Sequence, residues 1–372
     1  MPVRNFEPLN PATDITNTRT FLHEVLPITG AITSGTYNDE NIKNYSHGMF
    51  QSVYDYPYLS SSANHIFDIS MGYDENSPHS ASSHTQNSKK INMYNQFSQL
   101  MLGFTGSANT VRQFESDLRL DYQTGQGAMS GGVFFLSLGR LLTKDQIKKG
   151  SVQITLGTGS WAAPFASTRT LYDAAAKVDG QGTNNTLGGD YGVLYTSSAD
   201  PASVGGAGLG VVFYQSGLVV LTASAFSNLD VAGNPTGSAA DWVDFNSGSI
   251  LSGTKPTGLS VERSLMSASI SGNCDALRHR LLNVQFNNTT EINSTIYFCR
   301  APHNKFNYSA NPTYLNNSKI RVKNVASDDP VAYITTVGLY NGAHELLAVA
   351  KLSEPLRKDP QNELTVRVRL DY

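Results

Sequence analysis

Ala332-Tyr333-Ile334-Thr335-Thr336-Val337-Gly338-Leu339-Tyr340 is followed by Asn341-Gly342 and then by Glu345-Leu346-Leu347-Ala348-Val349-Ala350-Lys351-Leu352. Both runs alternate apolar and polar residues with the period of two that a strand imposes. Asn-Gly between two such runs is the strongest short-range hairpin signal. Leu364–Leu370 continues the pattern, with Val366, Val368 and Leu370 on one face and Thr365, Arg367, Arg369 and Asp371 on the other. The reading is a three-stranded antiparallel meander at the C-terminus.

The strand grammar extends back to about Met129. Val133-Phe134-Phe135-Leu136 is a short buried run, and Ser151–Leu156 reads as a strand. Leu209–Tyr214 and Leu218–Ala223 flank Gln215-Ser216-Gly217 as a hairpin. Leu282–Asn287 and Ser294–Arg300 enclose a polar turn. Thr143-Lys144-Asp145-Gln146 has capping-box spacing, and Gly150 suits a helix C′ position, which predicts a two-turn helix over Thr143–Lys149. Asn228–Gly258, poor in core residues, reads as a projecting loop insertion.

Upstream the chain is less regular. Pro8, Pro11 and Pro27 favour an extended arm over Met1–Pro27, with a short helix carrying Phe21, Leu22 and Val25. Tyr45, Phe50, Tyr54, Tyr56 and Tyr58 form an aromatic-dense stretch, read as an ordered loop or a sugar- or partner-binding patch. Gly72–Lys90 reads as an exposed loop. Ile91, Tyr94, Phe97, Leu100 and Met101 recur at three and four residues, an amphipathic helix ended by Gly103. The fold class is α+β, predominantly antiparallel β with a sandwich-like body, a few short helices and an extended N-terminal arm. Residues 1–128 form the arm and a mixed helix/loop region. Residues 129–372 form the β-rich body with the Asn228–Gly258 insertion and the C-terminal meander.

Composition narrows the function. Among 372 residues, 27 Lys+Arg face 30 Asp+Glu, so no basic footprint for nucleic acid stands out. Charged residues are 15%, against about 25% in average chains, while Ser, Thr and Asn make up about a quarter. Amides, hydroxyls and aromatics on a low-charge surface suit the contact faces of an assembly. No run reaches the roughly 18 apolar residues of a membrane span, so no membrane insertion is expected. Met1–Pro8 lacks the apolar core of a signal peptide. Cys274 and Cys299 build no disulfide framework and read as reduced thiols.

The sequence offers no catalytic, cofactor-binding or metal site. Gly157-Thr158-Gly159-Ser160-Trp161-Ala162 relaxes the dinucleotide fingerprint, but Pro164 follows where a helix would have to begin. Gly205-Gly206-Ala207-Gly208-Leu209-Gly210 lacks the Lys-Ser/Thr of a phosphate loop. His79 and His84, with Asp74 and Glu75 near, read as a solvated loop rather than a zinc site. Arg278-His279-Arg280 reads as a solvated edge or salt-bridge site, and Cys299 as a small hydrophobe in a strand. The expectation is a protein that is not an enzyme and carries no cofactor.

Three segments carry a family resemblance: Ser46-His47-Gly48-Met49-Phe50-Gln51-Ser52-Val53-Tyr54-Asp55-Tyr56-Pro57-Tyr58, Leu141–Ser151 and Phe286–Arg300. They resemble a virion structural protein of T-even-type contractile-tailed phages (myoviruses) of marine cyanobacteria. Ile334–Tyr340 with Glu345–Lys351 is similar to a strand–turn–strand in baseplate-attaching parts of phage tail fibres. The resemblance implies a non-enzymatic structural component of the virion, made in the host cytoplasm, and places it at the tail baseplate or as a tail-periphery connector. Its implied partners are other virion proteins and copies of itself in a symmetric assembly. Two alternatives stay open: a head decoration or neck protein, and a receptor-binding tail module whose partner is a host surface glycan.

Overall fold

Strand accounts for 44% of the structure and helix for 19%, so antiparallel pairing carries the architecture. The structure, a computed structural model, describes residues 6–29, 39–105, 110–118, 128–177, 182–198, 208–229, 235–236, 245, 261–308, 315–316, 319–320, 327 and 330–371. In chain order the first elements are β1 (Ile15–Thr29), β2 (Ile42–Asn44), β3 (Gln51–Tyr54), β4 (His65–Gly72) and α1 (Asn87–Met101). Then come β5 (Val133–Leu138), α2 (Arg140–Thr143), β6 (Gln146–Ile147), β7 (Gln153–Gly157), β8 (Thr168–Tyr172), β9 (Thr183–Thr186) and β10 (Gly189–Leu194). β11 (Gly210–Phe213), β12 (Leu218–Thr222), β13 (Asn228–Leu229), β14 (Pro235–Thr236), α3 (Val261–Ser267) and α4 (Ile270–Arg280) follow. The last are β15 (Leu281–Ala301), β16 (Leu315–Asn316), β17 (Lys319–Ile320), β18 (Ala332–Tyr340), β19 (Leu346–Lys358) and β20 (Leu364–Asp371).

The chain divides into two compact units, His23–Thr290 and Met1–Leu22 with Glu291–Tyr372. A boundary at 128/129 would cut the first of these, because β4 and β5 are neighbours in one sheet, Ile69 opposite Leu136. Strand pairing joins residues that sequence distance separates.

The larger unit is built on an eight-stranded sheet in the order β2-β3-β4-β5-β12-β11-β10-β9. Alternation along β5 sends Phe134, Leu136 and Leu138 to one face and Val133 and Phe135 to the other, and all five are buried. This double burial is why β5, β11 and β12 read as continuous apolar runs. On the first face Val53, Phe67, Ile69, Met71, Val219 and Leu221 share a core with Cys274 and Leu277 of α4. Ile154 and Leu156 of β7, Leu171 of β8, and Leu281, Val284 and Phe286 of β15 close the same core, so two sheets sandwich it. On the second face Tyr94 and Met101 of α1 pack with Phe114, Phe135, Val220 and Phe213. The Phe97 ring stacks on Phe135 at 4.3 Å. Each such side chain contributes about 1.5–3 kcal/mol of burial.

Local signals hold well here. α1 ends where Gly103 takes φ +79°, and its amide bonds back to Ser98 and Gln99. β11 and β12 form the expected hairpin, with Gly217 at φ +68° in a turn that leaves only 2.7 Å between a β-carbon there and Thr143.

Other expectations are corrected. The helix expected over Thr143–Lys149 is instead α2, for which Thr143 is the last residue, and Gln146–Ile147 is a strand on β15. Asn288 and Thr289, read as part of a polar turn, pair with β6, so β15 runs unbroken from Leu281 to Ala301. Asn288 is fully buried and its side-chain amide donates to the Leu142 carbonyl at 3.1 Å. Gly72–Lys90 is not an exposed loop: Tyr73, Asp74, Ser77, His79 and Lys90 are buried. Of the Asn228–Gly258 insertion, β13 pairs with β14, and Phe245 is buried against Phe226 and Phe134 at ring distances of 4.9 and 5.4 Å. The rest of that insertion lies outside the described residues.

In the smaller unit the arm is a strand. β1 is a sheet neighbour of β15 at the sheet edge. The Phe298 amide donates to the Asp14 carbonyl at 2.8 Å, and Thr295 Oγ1 to Asn17 Oδ1 at 3.0 Å. The helix expected around Phe21, Leu22 and Val25 is therefore also corrected; pairing with β15 overrides the weak helical spacing. Met1–Asn5 lie outside the described residues. The expected meander is likewise corrected. β18 and β19 do pair, but β20 leaves them for β15, Val368 opposite Tyr297 and Val366 opposite Cys299. The predicted faces of β20 hold: Val368 is buried, Val366 and Leu370 are half-buried, and the polar set is exposed.

Candidate functional site

The feature that sets the smaller unit apart is what it leaves uncovered. Among its described residues the buried hydrophobics are Ile296, Ala301, Ala332 and Val368. Tyr308, Tyr333, Tyr340, Leu346, Leu347, Val349 and Leu356 are exposed, Leu347 to 68%. Six of these seven lie on the β18–β19 ribbon or its ends.

The ribbon is held by its own ladder and by its two ends. Its turn is a five-residue loop rather than a two-residue one. Asn341 Oδ1 accepts from the amides of Ala343 and Glu345, the Asn341 amide donates to the Glu345 carbonyl, and His344 takes φ +61°. Phe6 caps this end, stacked on His344 at 4.6 Å and edge-on to Tyr340 at 5.0 Å. At the far end Lys358 is fully buried; its ammonium donates to Asn307 Oδ1 at 2.6 Å and to the Asp359 and His303 carbonyls. Past that anchor Asp359 and Asn362 close a turn that redirects the chain into β20. Between the ends, Val337, Leu339, Ala348, Ala350 and Leu352 are half-buried, while Thr336, Gly338, Tyr340, Val349 and Lys351 are exposed. A two-stranded ribbon is marginal in water alone. An apolar one held out at its ends is suited to being covered.

The aromatic stretch near Tyr54 forms a second surface, in the larger unit. Tyr45, His47 and Phe50 cluster at ring distances of 4.6–5.3 Å. Tyr54 meets His65 at 5.5 Å, and His65 Nε2 lies 2.9 Å from Asp68 Oδ1. Asp55 closes the β3–β4 loop by accepting from the Asn64 amide and side chain. That loop presents Tyr56, Tyr58 and Leu59 to solvent, Leu59 to 86%.

A shallow cleft of about 490 Å³ in the smaller unit is lined by Thr13, Phe298, Arg300, Pro302, Glu363 and Thr365, among others. Arg300 there is paired with Asp14 at 2.9 Å, and Glu363 is the carboxylate of the lining.

The remaining sequence candidates turn out to be packing elements. Around Gly157–Ala162 it is carbonyls that converge: the buried Arg280 guanidinium donates to Gly157 and Gly159 at 3.0 and 2.9 Å. A phosphate loop presents amides, the opposite polarity. A β-carbon at Gly157 would lie 2.6 Å from the Pro164 carbonyl, which is what the glycines are for. Of the two readings of the Arg278–Arg280 triplet, the salt-bridge site holds and the solvated edge does not. Arg278 is buried and pairs with Asp275 at 3.2 Å, and His279 lies 3.0 Å from the Trp161 carbonyl with its ring against that indole. Its position along α4 turns this triplet inward, which no local pattern encodes. His79 is buried edge-on to Tyr73 at 5.7 Å, and burial holds it below the usual histidine range. His84 is half-buried and is held low by the same cause. Burial raises both thiols, Cys274 well above the usual value and Cys299 less. Residues 205–207 lie outside the described set. Among the described residues no cluster of three or more His, Cys, Asp or Glu is arranged to hold a metal ion, and no helix is long and apolar enough to cross a membrane.

No family model, no curated protein and no solved structure matches this chain.

Proposed function

We propose that the chain is a non-enzymatic structural component of a tailed-phage virion, a connector at the tail baseplate or tail periphery acting through protein–protein contacts. The observation that carries this reading is the ribbon, an exposed apolar element in a unit whose described residues bury few hydrophobic side chains. The low-charge, hydroxyl- and amide-rich composition supports the same role. The resemblance of Ser46–Tyr58, Leu141–Ser151 and Phe286–Arg300 to cyanophage virion proteins supports the particle, and that of Ile334–Tyr340 with Glu345–Lys351 to a strand–turn–strand in baseplate-attaching parts of tail fibres supports the tail.

The test is to purify particles of the encoding phage on a density gradient, separate heads from tails, and quantify the chain in each by mass spectrometry. Enrichment with tails, at a copy number matching the rotational symmetry of a tail, is the expected result. Enrichment with heads would move the chain to the capsid or neck, and absence from both would overturn the virion reading.

A receptor-binding role is favoured by one separate observation, the exposure of Tyr56, Tyr58 and Leu59 on a hydrogen-bonded loop. Under that role the double variant Tyr56→Ala/Tyr58→Ala lowers host adsorption about tenfold or more with particle yield unchanged, because aromatic anchors dominate such contacts. Unchanged adsorption would remove it.

A further inference from the structure

We infer that Asn341-Gly342 is a self-modification site: the ribbon loop promotes loss of the Asn341 side-chain amide, and the product opens the loop that Phe6 caps. The step is the one Asn-Gly in the sequence, and Gly342 through Glu345 are exposed. An asparagine loses its amide when the backbone nitrogen of the next residue attacks Cγ, and glycine obstructs that approach least.

Three features of this loop favour the attack. Asn341 Oδ1 accepts from the Ala343 amide at 3.0 Å, an Asx turn. Such a turn mimics a backbone turn and curls the side chain back over the intervening nitrogen, here that of Gly342, which brings the reacting atoms together. The Glu345 amide donates to the same Oδ1 at 2.9 Å. Two fixed donors thus face the oxygen that gathers negative charge as Cγ becomes tetrahedral. Glu345 Oε2 accepts from Asn341 Nδ2 at 2.7 Å, which keeps Oδ1 rather than Nδ2 toward those amides. Finally, among the described residues the Gly342 amide meets no acceptor, and a β-carbon on Gly342 would meet nothing within 4 Å. Its nitrogen is open to solvent.

The step balances without an oxidant or a reductant. The Gly342 nitrogen yields its proton to solvent and bonds to Asn341 Cγ. The Cγ–Nδ2 bond breaks, and Nδ2 takes a proton from solvent and leaves as ammonia. Water then opens the cyclic imide at either carbonyl, giving aspartate or isoaspartate. Both products work against the loop. Aspartate sets a carboxylate against the Glu345 carboxylate that had held Nδ2. Isoaspartate adds a carbon to the main chain, which breaks the register of the Asn341 amide with the Glu345 carbonyl, now 3.0 Å apart, and of Oδ1 with its two donors. Those bonds hold His344 at φ +61°, a conformation side chains rarely adopt, and His344 carries the Phe6 ring at 4.6 Å. Without them the left-handed residue and the Phe6 stack both lose their support.

The experiment ages the full folded chain at neutral pH and physiological temperature, beside the same chain unfolded in guanidinium chloride. The tryptic peptide 324–351 contains the step, and electron-transfer fragmentation resolves its Asn, Asp and isoAsp forms at 341. Conversion is expected to run faster in the folded chain, by about threefold. Gly342→Ala keeps the fold, since its β-carbon has open space, and slows conversion about tenfold or more. Hydrogen exchange over residues 340–346 should rise in the aged wild type and stay low in aged Gly342→Ala. A folded chain that converts no faster than the unfolded one overturns the inference, because the loop then shields the step. Conversion that leaves exchange over residues 340–346 unchanged also overturns it, because the product then does not open the loop.

Discussion

Asp173→Ala is expected to destabilise the larger unit by about 3–5 kcal/mol, read by urea denaturation at pH 7. Asp173 is almost fully buried and its carboxylate organises three donors. Oδ1 accepts from the Val152 amide at 2.8 Å; Oδ2 accepts from the Gly150 amide at 2.7 Å and from the Tyr214 hydroxyl at 3.0 Å. These tie the entry to β7 and the end of β11 to one acceptor. Alanine leaves all three donors buried without it, each worth about 1–3 kcal/mol. The site also sets a pH dependence. Burial raises the Asp173 pKa to about 6, against the opposing pull of its hydrogen bonds. Between about 4 and 6 the folded chain therefore holds a proton that the unfolded chain has lost. Stability from this group is fully present below pH 4 and falls as pH rises to 6, by up to about 3 kcal/mol. The variant should lose that slope. A variant as stable as the wild type, or one that keeps the slope, would count against this role.

Lys90→Met is expected to destabilise by about 2–4 kcal/mol and to loosen α3 first. The Lys90 ammonium is fully buried and donates to the carbonyls of Leu265, Met266 and Ala268 at 2.7, 3.3 and 2.7 Å. These lie in the last turn of α3 and just beyond it, where carbonyls lack helical partners and a cation is favoured. Methionine keeps the volume of the stem and removes the donors. Faster hydrogen exchange over residues 261–268, with α1 less affected, would identify the capping role. Burial lowers the Lys90 pKa to about 8, against 10.5 when unfolded. The folded chain thus sheds this proton first, so wild-type stability should rise between pH 8 and 10.5, where the variant shows no such gain.

The two side chains also mark what sequence could and could not reveal. Lys90 sits in a polar stretch that reads as solvated, and its acceptors lie 175 to 178 residues away. Gln51 Nε2 donates to Asp275 across 224 residues. No window of sequence contains both partners, so polar residues there look like surface. The ribbon as a candidate site was half legible. Alternation and Asn341-Gly342 marked a hairpin, but its exposure depends on where β20 goes.

By itself the sequence determined the β-rich class, α1, the β11–β12 hairpin, the β18–β19 pairing and the inward face of β20. Each follows from periodicity and turn chemistry acting within about 20 residues. Tertiary structure alone decided that the arm is a strand beside β15, that β20 also joins β15, and that β15 runs through its polar middle. It also decided that Lys90, Asp173 and Arg280 are buried. The physical reason is the same in each case. A strand's hydrogen bonds are satisfied by another strand, and a buried charge by distant carbonyls or amides, so the partner is chosen by the whole packed chain.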